Sequence, residues 1–256
     1  MDEEQWMEIN CDMGEGFGRW KMGPDEDLMK YINVANVACG FHAGDPSIMV
    51  RTVRLAKEHG VQVGAHPGMP DLLGFGRRRM NIAPDDMYAM VLYQVGALAG
   101  ILAAEGVPLN HVKPHGELYF YIQRDAAIRD AVLRAVHTFN VPIYGLPTKQ
   151  MVEDCQRIGL KLIPEFYPDL DYNDQGELVP VAESIPATPD LVKERIHLFA
   201  SKGQARTKAG NMVDIPVDRQ GFSICIHSDL PGAVQNAAAA RVAVAEEQMK
   251  ATRGKV

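Results

Sequence analysis

The feature that most constrains the fold of this chain is a sevenfold alternation of short apolar runs with longer segments of helical periodicity. The runs are often β-branched and mostly not alternating, which is typical of strands buried on both faces. They occupy residues 7–13, 34–40, 61–67, 111–116, 141–146, 160–167 and 222–228. The alternation predicts parallel strands joined by right-handed helical crossovers, either as a doubly wound sheet or as a closed barrel.

The segments between the runs carry helix start and stop signals. Asp45 and Pro46 suit the start of one helix, and Pro84 begins another that Gly106 ends. Further helices are predicted at 124–138, 148–158, 188–203 and 231–250, with loops or hairpins at 167–186 and 203–221. No linker, repeat or low-complexity tract interrupts the pattern, so residues 1–256 are predicted to form a single domain.

Charge and composition disfavour several classes of protein. The chain has 33 acidic and 26 basic residues and a net charge of −7, which argues against nucleic-acid and anionic-membrane partners. No apolar run reaches the ~20 residues of a membrane helix, and the acidic start lacks the features of a signal peptide. The four cysteines form no CxxC pair, which excludes a zinc ribbon and disfavours a disulfide scaffold. We therefore expect a cytoplasmic protein.

Polar side chains crowd the carboxyl ends of the predicted strands, the edge where parallel α/β proteins build their sites. The candidates are Asn10, Asp12 and Glu15 after the first strand, His42 and Asp45 after the second, His66 after the third, Lys113, His115 and Glu117 after the fourth, Glu165 after the sixth, and His227 and Asp229 after the seventh. Four histidines that end four strands indicate one shared pocket more than four structural coincidences. Asp45 and Asp229 are equally suited to capping the helices that follow them.

The other four histidines lie in helices or at strand starts and are interpreted as structural; they are His59, His111, His137 and His197. Several nucleotide and hydrolase signatures are missing from the sequence. It contains no GxxxxGK[ST] and no GxSxG, and GEGFG has the wrong spacing for a dinucleotide fingerprint. These absences disfavour a P-loop, a Rossmann nucleotide site and a serine hydrolase of the α/β type.

The chemistry of the candidate pocket has two interpretations. Histidines and carboxylates together can bind a divalent metal and activate water, or they can act without metal as general bases and acids. Lys113 is placed to neutralise a developing oxyanion or to bind a carboxylate. Arg77 and Arg78, in the segment GFGRRRM, are candidates for anion recognition, with a solvated loop as the equally weighted alternative.

Five motifs spread over about residues 8–245 carry a family resemblance. INCDMGEGFG, NVACGFHAGDP, VGAHPGMPDLLGFGRR, KPHGELY and CIHSD, in this order, resemble the LamB/YcsF lactam-utilisation family. The resemblance implies a distorted seven-stranded (β/α) barrel related to polysaccharide deacetylases. It also implies 5-oxoprolinase-like cleavage of a cyclic amide, with ATP as co-substrate and separate B- and C-type partner subunits. The missing P-loop is compatible with a partner that handles ATP.

Three positions depart from the family's pattern. Glu117 stands where the family has alanine, Leu170 where it has arginine, and Ser228 where it has glycine. The first change adds a negative charge and the second removes a positive one. We therefore expect weak activity on the anion 5-oxoproline, and a different lactam or imide as the substrate.

The leading prediction is a subunit of an ATP-dependent, lactam-opening hydrolase. Its candidate catalytic residues are Asp12, His42, His66, Lys113, His115 and Asp229, and its candidate substrate-binding residues are Asn10, Glu15, Asp45, Arg77, Arg78, Glu117, Glu165 and His227. Two alternatives stay open: a stand-alone metal-dependent deacetylase or amidohydrolase, and a non-catalytic subunit that delivers a small molecule. A bound divalent metal and a homo-oligomer are both compatible with the sequence.

Overall fold

A closed barrel of seven parallel strands forms the centre of the computed structural model, which describes residues 7–217 and 221–253. The strands are β1 (Met7–Met13), β2 (Val34–Ala38), β3 (Gln62–His66), β4 (Leu109–Val112), β5 (Ile143–Gly145), β6 (Leu162–Phe166), the outer pair β7 (Gln204–Arg206) and β8 (Met212–Asp214), and β9 (Phe222–Ile226). Strand β9 pairs with both β6 and β1, which closes the barrel. This topology confirms the seven-stranded (β/α) barrel and excludes the doubly wound sheet.

The barrel is distorted where β4 lies. The pairing of β3 with β4 shifts register between Val63 and Ala65, and β4 pairs with β5 only through Val112 and Ile143. The sequence predicts a strand over 111–116, but β4 ends at Val112. Pro114 has no amide hydrogen for a ladder, so the chain leaves the sheet and enters a helix at once.

Eight helices cover the barrel within the part of the chain that the structure describes. They are α1 (Asp25–Leu28), α2 (Pro46–Glu58), α3 (Pro84–Glu105), α4 (Gly116–Arg124), α5 (Ala126–His137), α6 (Lys149–Ile158), α7 (Pro189–Lys202) and α8 (Ala233–Arg253). The sequence pattern does not predict α1 or α4. The hairpin β7–β8 lies within the predicted loop 203–221, of which residues 218–220 are outside the described part. The acidic segment 1–6 and residues 254–256 of the predicted domain also lie outside it.

Helix α3 is long and apolar enough to cross a membrane by length and composition, which the search for an apolar run in the sequence does not reveal. It is the only such helix among the described residues. Its buried face, which includes Met87, Val91 and Leu98, packs in the helical layer beside α5 and β3. Packing in this layer accounts for the apolar character of that face.

The inside of the barrel is polar. Along β1 the apolar side chains belong to the core that the helices cover, whereas Asn10 and Asp12 take part in hydrogen bonds across the barrel. Asn10 donates to Ser223 Oγ at 2.7 Å, and Asn36 donates to Asn10 Oδ1 at 2.7 Å. The His111 ring stacks on Tyr144 at a centroid distance of 3.9 Å. Because buried polar groups must be paired, this network fixes the orientation of the side chains below the mouth of the barrel.

Gly64 on β3 leaves the space that the His111 ring fills. A Cβ at position 64 would lie 2.0 Å from His111 Cε1. We expect Gly64→Ala to lower the free energy of unfolding by about 1–3 kcal/mol, because the interior is overpacked, as measured by urea denaturation. Gly96→Ala, in α3 where nothing lies within 4 Å, is the control and should instead stabilise by about 0.5–1 kcal/mol. Equal effects of the two changes would contradict this account of Gly64.

Candidate active site

A cavity of about 290 Å³ lies at the carboxyl ends of the barrel strands. That volume suits a small molecule. Among the candidate residues, the wall contains Asp12, His66, Arg77, Lys113, His115, Glu117 and His227. The remaining wall includes Tyr119, Phe120, Tyr167, Leu170 and Leu178, which makes it partly apolar. The sequence therefore places half of its candidates at one cavity, and most of the others lie directly behind them.

Lys113 and Asp12 form a buried ion pair in the cavity wall. Lys113 Nζ lies 2.8 Å from Asp12 Oδ1, 2.8 Å from Cys225 Sγ and 3.6 Å from Glu165 Oε1. Burial opposes the charge on Lys113, but the nearby acidic groups, Asp12 first, hold its pKa well above the usual value. Burial likewise opposes the charge on Asp12, yet the adjacent His66 and Lys113 lower its pKa well below the usual value. Both side chains are therefore charged, and each stabilises the other.

The three strand-end histidines of β2, β3 and β4 form a histidine cluster with Glu15. His42 stacks on His115 at a centroid distance of 3.7 Å, and His66 meets His115 edge-on at 4.8 Å. Glu15 Oε1 lies 3.2 Å from His42 Nε2 and 3.3 Å from His115 Nδ1. Burial and the neighbouring imidazoles lower the pKa values of His42 and His115 well below the usual value, so both rings are neutral near pH 7. Burial, followed by the charge of Asp12, raises the pKa of Glu15.

Glu165 holds two tyrosines of the cavity wall. Its carboxylate accepts hydrogen bonds from Tyr119 Oη at 3.2 Å, from Tyr167 Oη at 2.8 Å and from Asn10 Nδ2 at 3.1 Å. Burial and the charge of Glu165 raise the pKa of both tyrosines well above the usual value, so they act as donors only. The sequence analysis missed these tyrosines, although Tyr119 lies inside the motif KPHGELY and Tyr167 directly follows β6.

The rim of the cavity carries ion pairs. Arg77 Nη1 lies 2.7 Å from Asp229 Oδ2, which places Asp229 beside an arginine. His227 Nδ1 lies 3.1 Å from Asp169 Oδ2, and the Asp169 carboxylate outweighs burial and raises the pKa of His227.

Glu117 has two cationic neighbours at the same rim. Its carboxylate contacts the Arg124 guanidinium, and Arg79 Nε lies 3.6 Å away. The charge of Glu117 is therefore neutralised by side chains that also line the cavity, and the wall carries a net positive charge there.

Two candidates lie away from the cavity wall. Asp45 is the N-cap of α2, where it accepts from the Ser47 amide at 2.8 Å, and it also accepts from the Gly18 amide at 2.8 Å. Arg78 forms a forked pair with Asp71, and its side chain is 64% exposed. The helix-cap alternative thus describes Asp45, and the ion pair with Asp71 occupies Arg78 within its own loop.

A closed (β/α) barrel with a buried lysine–carboxylate pair and a histidine cluster at the carboxyl ends of its strands defines a class of small-molecule sites. The match to a family model narrows this class. The model of the LamB/YcsF family matches residues 7–255, and the chain belongs to that family.

Curated relatives carry names that agree with the family. The lactam utilization protein lamB of Emericella nidulans is 44% identical over 89% of both chains. The 5-oxoprolinase A subunit of Bacillus subtilis is 42% identical over 87% of both chains, and that of Pyrococcus horikoshii is 43% identical over 95% of this chain and 96% of the relative. Because these two relatives are named as one subunit of 5-oxoprolinase, they work with partner subunits.

Solved structures give the same result for the fold. The lactam utilization protein of Thermus thermophilus superposes with a TM-score of 0.86 at 39% identity, covering 94% of this chain and 97% of that one. A GH113 β-1,4-mannanase superposes with a TM-score of 0.51 at 14% identity, covering 94% of this chain and 98% of the mannanase, which shows the barrel alone.

Proposed function

We propose that this chain is the ring-opening subunit of an ATP-dependent lactam hydrolase of the 5-oxoprolinase type. The observation that carries the proposal is the charged Lys113–Asp12 pair, buried in the wall of a small-molecule cavity. The relatives named as the A subunit of 5-oxoprolinase support the reaction class. ATP is the proposed co-substrate, handled together with B- and C-type partner subunits, and the cytoplasm is the proposed location.

The reaction requires activation of an unreactive ring. Phosphorylation of the lactam oxygen makes the ring carbon electrophilic and turns the oxygen into a leaving group. Water then adds to that carbon, the C–N bond breaks, and the ring nitrogen takes up a proton. The chain must supply a cation for the developing negative charge and a group that accepts a proton from water.

Residues of the cavity wall match these needs. The Lys113 ammonium is fixed by Asp12 and aimed by its partners, so it meets new negative charge without reorganisation. The Asp12 carboxylate and the His66 imidazole, whose nearest polar atoms are 3.4 Å apart, are the proton acceptors beside it. Tyr119 and Tyr167 offer hydroxyl groups to the substrate from the opposite side of Glu165. The side chains thus provide an electrophilic group, a base and donors at one cavity.

The ion pairs of Glu117 change the expectation about substrate charge. Weak activity on 5-oxoproline follows from an isolated Glu117, but Arg124 and Arg79 neutralise that carboxylate. Arg77 adds a further guanidinium to the cavity wall. The electrostatic reason to exclude an anionic substrate is therefore absent, and we propose a carboxylate-bearing lactam, with 5-oxoproline as the first to test.

Glu117→Gln tests this interpretation of the charge. It removes the carboxylate that occupies Arg124, so we expect the KM for 5-oxoproline to fall by about 3–10-fold, with the KM for uncharged 2-pyrrolidinone unchanged. Steady-state kinetics of the complex with its partner subunits measures both constants. Glu105→Gln is the control, because Glu105 forms an exposed ion pair with Arg54 outside the cavity. An equal change in KM for both lactams would show that Glu117 does not act through charge.

A panel of lactams and imides tests the function itself. The chain is assayed with and without its partner subunits, and with and without ATP. Ring opening that needs both partners and ATP is the expected result. Ring opening by the chain alone would instead favour a stand-alone amidohydrolase, and undiminished turnover by the partners without this chain would favour a non-catalytic delivery subunit.

A further inference from the structure

We propose that Glu15, His66 and His115 form a site for one divalent transition-metal ion, such as Zn²⁺, with an open coordination position toward the cavity. His66 and His115 lie in the cavity wall, and Glu15 lies behind them. All three side chains are buried. Their ligand atoms belong to a group that lies within 4.8 Å of one another.

The backbone fixes the tautomers of the two histidines. His66 Nδ1 lies 2.7 Å from the carbonyl oxygen of Lys113, and His115 Nε2 lies 2.7 Å from the carbonyl oxygen of Phe75. A carbonyl oxygen only accepts, so each of these nitrogens carries the hydrogen. In the neutral rings the lone pairs are therefore on His66 Nε2 and His115 Nδ1. A backbone acceptor on the far nitrogen is the arrangement that orients metal-binding imidazoles.

The two lone pairs face each other without a donor between them. His115 Nδ1 lies 3.0 Å from His66 Nε2, and Glu15 Oε1 lies 3.3 Å from the first and 3.9 Å from the second. Three acceptor atoms thus converge on one point. A proton bridges only two of them, whereas a metal ion contacts all three. Ligands held at about 2.1 Å in a tetrahedral zinc site stand about 3.4 Å apart, close to the spacing here.

The charges around Glu15 agree with a missing cation. Among the described residues, Glu15 forms no ion pair with a lysine or arginine; its contacts are to histidines and to the Ser228 hydroxyl at 3.3 Å. Asp12, by contrast, has Lys113 as its counter-ion. His42 Nε2, 3.2 Å from Glu15 Oε1, orients the carboxylate from outside the three ligands. Imidazole nitrogens with one carboxylate suit zinc, cobalt or nickel better than calcium or magnesium.

A second cluster of ligand-type residues competes with this assignment. Asp12, Cys225 and His227 also lie near one another, but Lys113 contacts both Asp12 and Cys225, and Asp169 holds His227. An ammonium group thus occupies the place that a cation would need. The second cluster therefore serves as the partner set of Lys113.

Metal binding is tested on the purified full chain without any lactam. After removal of metal, equilibrium dialysis against Zn²⁺ and Co²⁺ should give one ion per chain. Bound Co²⁺ should show d–d absorption without a thiolate charge-transfer band, and zinc should raise Tm because it binds the folded state. Glu15→Gln and His115→Ala should each weaken binding by more than about 100-fold, and His42→Phe by about 10–100-fold, the range for outer partners of a metal site.

The controls separate lost ligation from lost structure. His137→Ala changes an exposed histidine at the end of α5 and should keep one ion per chain. Circular dichroism and thermal unfolding establish that each variant is folded, and Glu15→Gln keeps the shape of the side chain. No saturable binding by the wild-type chain, equal affinity of folded His115→Ala, or a cobalt–thiolate band would overturn the proposal. Because no readout uses turnover, these outcomes are independent of the proposed lactam chemistry.

Discussion

Lys113→Met is expected to lower turnover of the assembled enzyme by about 10²–10³-fold, the loss found when a positioned electrostatic donor is removed. Methionine keeps the length of the side chain and removes its charge. The ammonium is buried between Asp12, Cys225 and Glu165, so water cannot replace it. Turnover of a saturating lactam with partner subunits and ATP is the measurement. Unchanged turnover would show that Lys113 has a structural role only.

The same change also affects stability, because Asp12 and Glu165 then lose their shared cation. Removal of one partner from a buried pair costs about 3–5 kcal/mol. The double variant Lys113→Met/Asp12→Asn removes both members of the closest pair, so it should recover part of the free energy of unfolding while turnover stays low. Recovery of stability without recovery of activity separates the two roles of Lys113.

Arg195→Met is expected to lower the free energy of unfolding by about 3–5 kcal/mol. Arg195 is a buried residue of α7 that donates to the carbonyl oxygens of Pro168 at 3.0 Å and Leu170 at 2.8 Å, and it pairs with Asp171. Its loss leaves a buried carboxylate and two carbonyl groups without their donor. Urea denaturation measures the change.

The segment that Arg195 holds also forms part of the cavity wall. Tyr167, Leu170 and Leu178 lie in this wall, so the KM of the lactam should rise in Arg195→Met together with the loss of stability. Arg206→Met is the control, because its ion pair with Glu194 is long, at 3.8 Å, and exposed, and such pairs contribute at most ~1 kcal/mol. A loss of similar size in both variants would contradict the role assigned to Arg195.

The sequence predicts the barrel well because the signal is local and repeated. Each β-strand ends where a cluster of polar residues begins, and helix starts such as Asp45–Pro46 are written in capping chemistry. The short helix α4 is missed because the same motif, KPHGELY, contains both the strand end and the helix start. Periodicity needs more residues than this motif offers, so the transition at Pro114 has to come from the structure.

The candidate site is predictable in its position but not in its pairings. Parallel strands bring His42, His66 and His115 to one edge, which follows from topology alone. The partners of Glu117 do not follow, because Arg124 lies a helix away and reaches back across α4. The polar barrel interior is also hidden, since His111 and Tyr144 look like ordinary strand residues. Side-chain contacts across the barrel decide charge, and charge decides which substrate the cavity suits.

The central claim is that this chain carries out ring opening coupled to ATP. The most direct measurement follows ADP and the ring-opened amino acid together, in a complex of this chain with its B- and C-type partners supplied with 5-oxoproline and ATP. We expect equal amounts of the two products with the wild-type chain, and no ring-opened product when the chain is omitted or carries Lys113→Met. Ring-opened product formed at the same rate without this chain would contradict the claim.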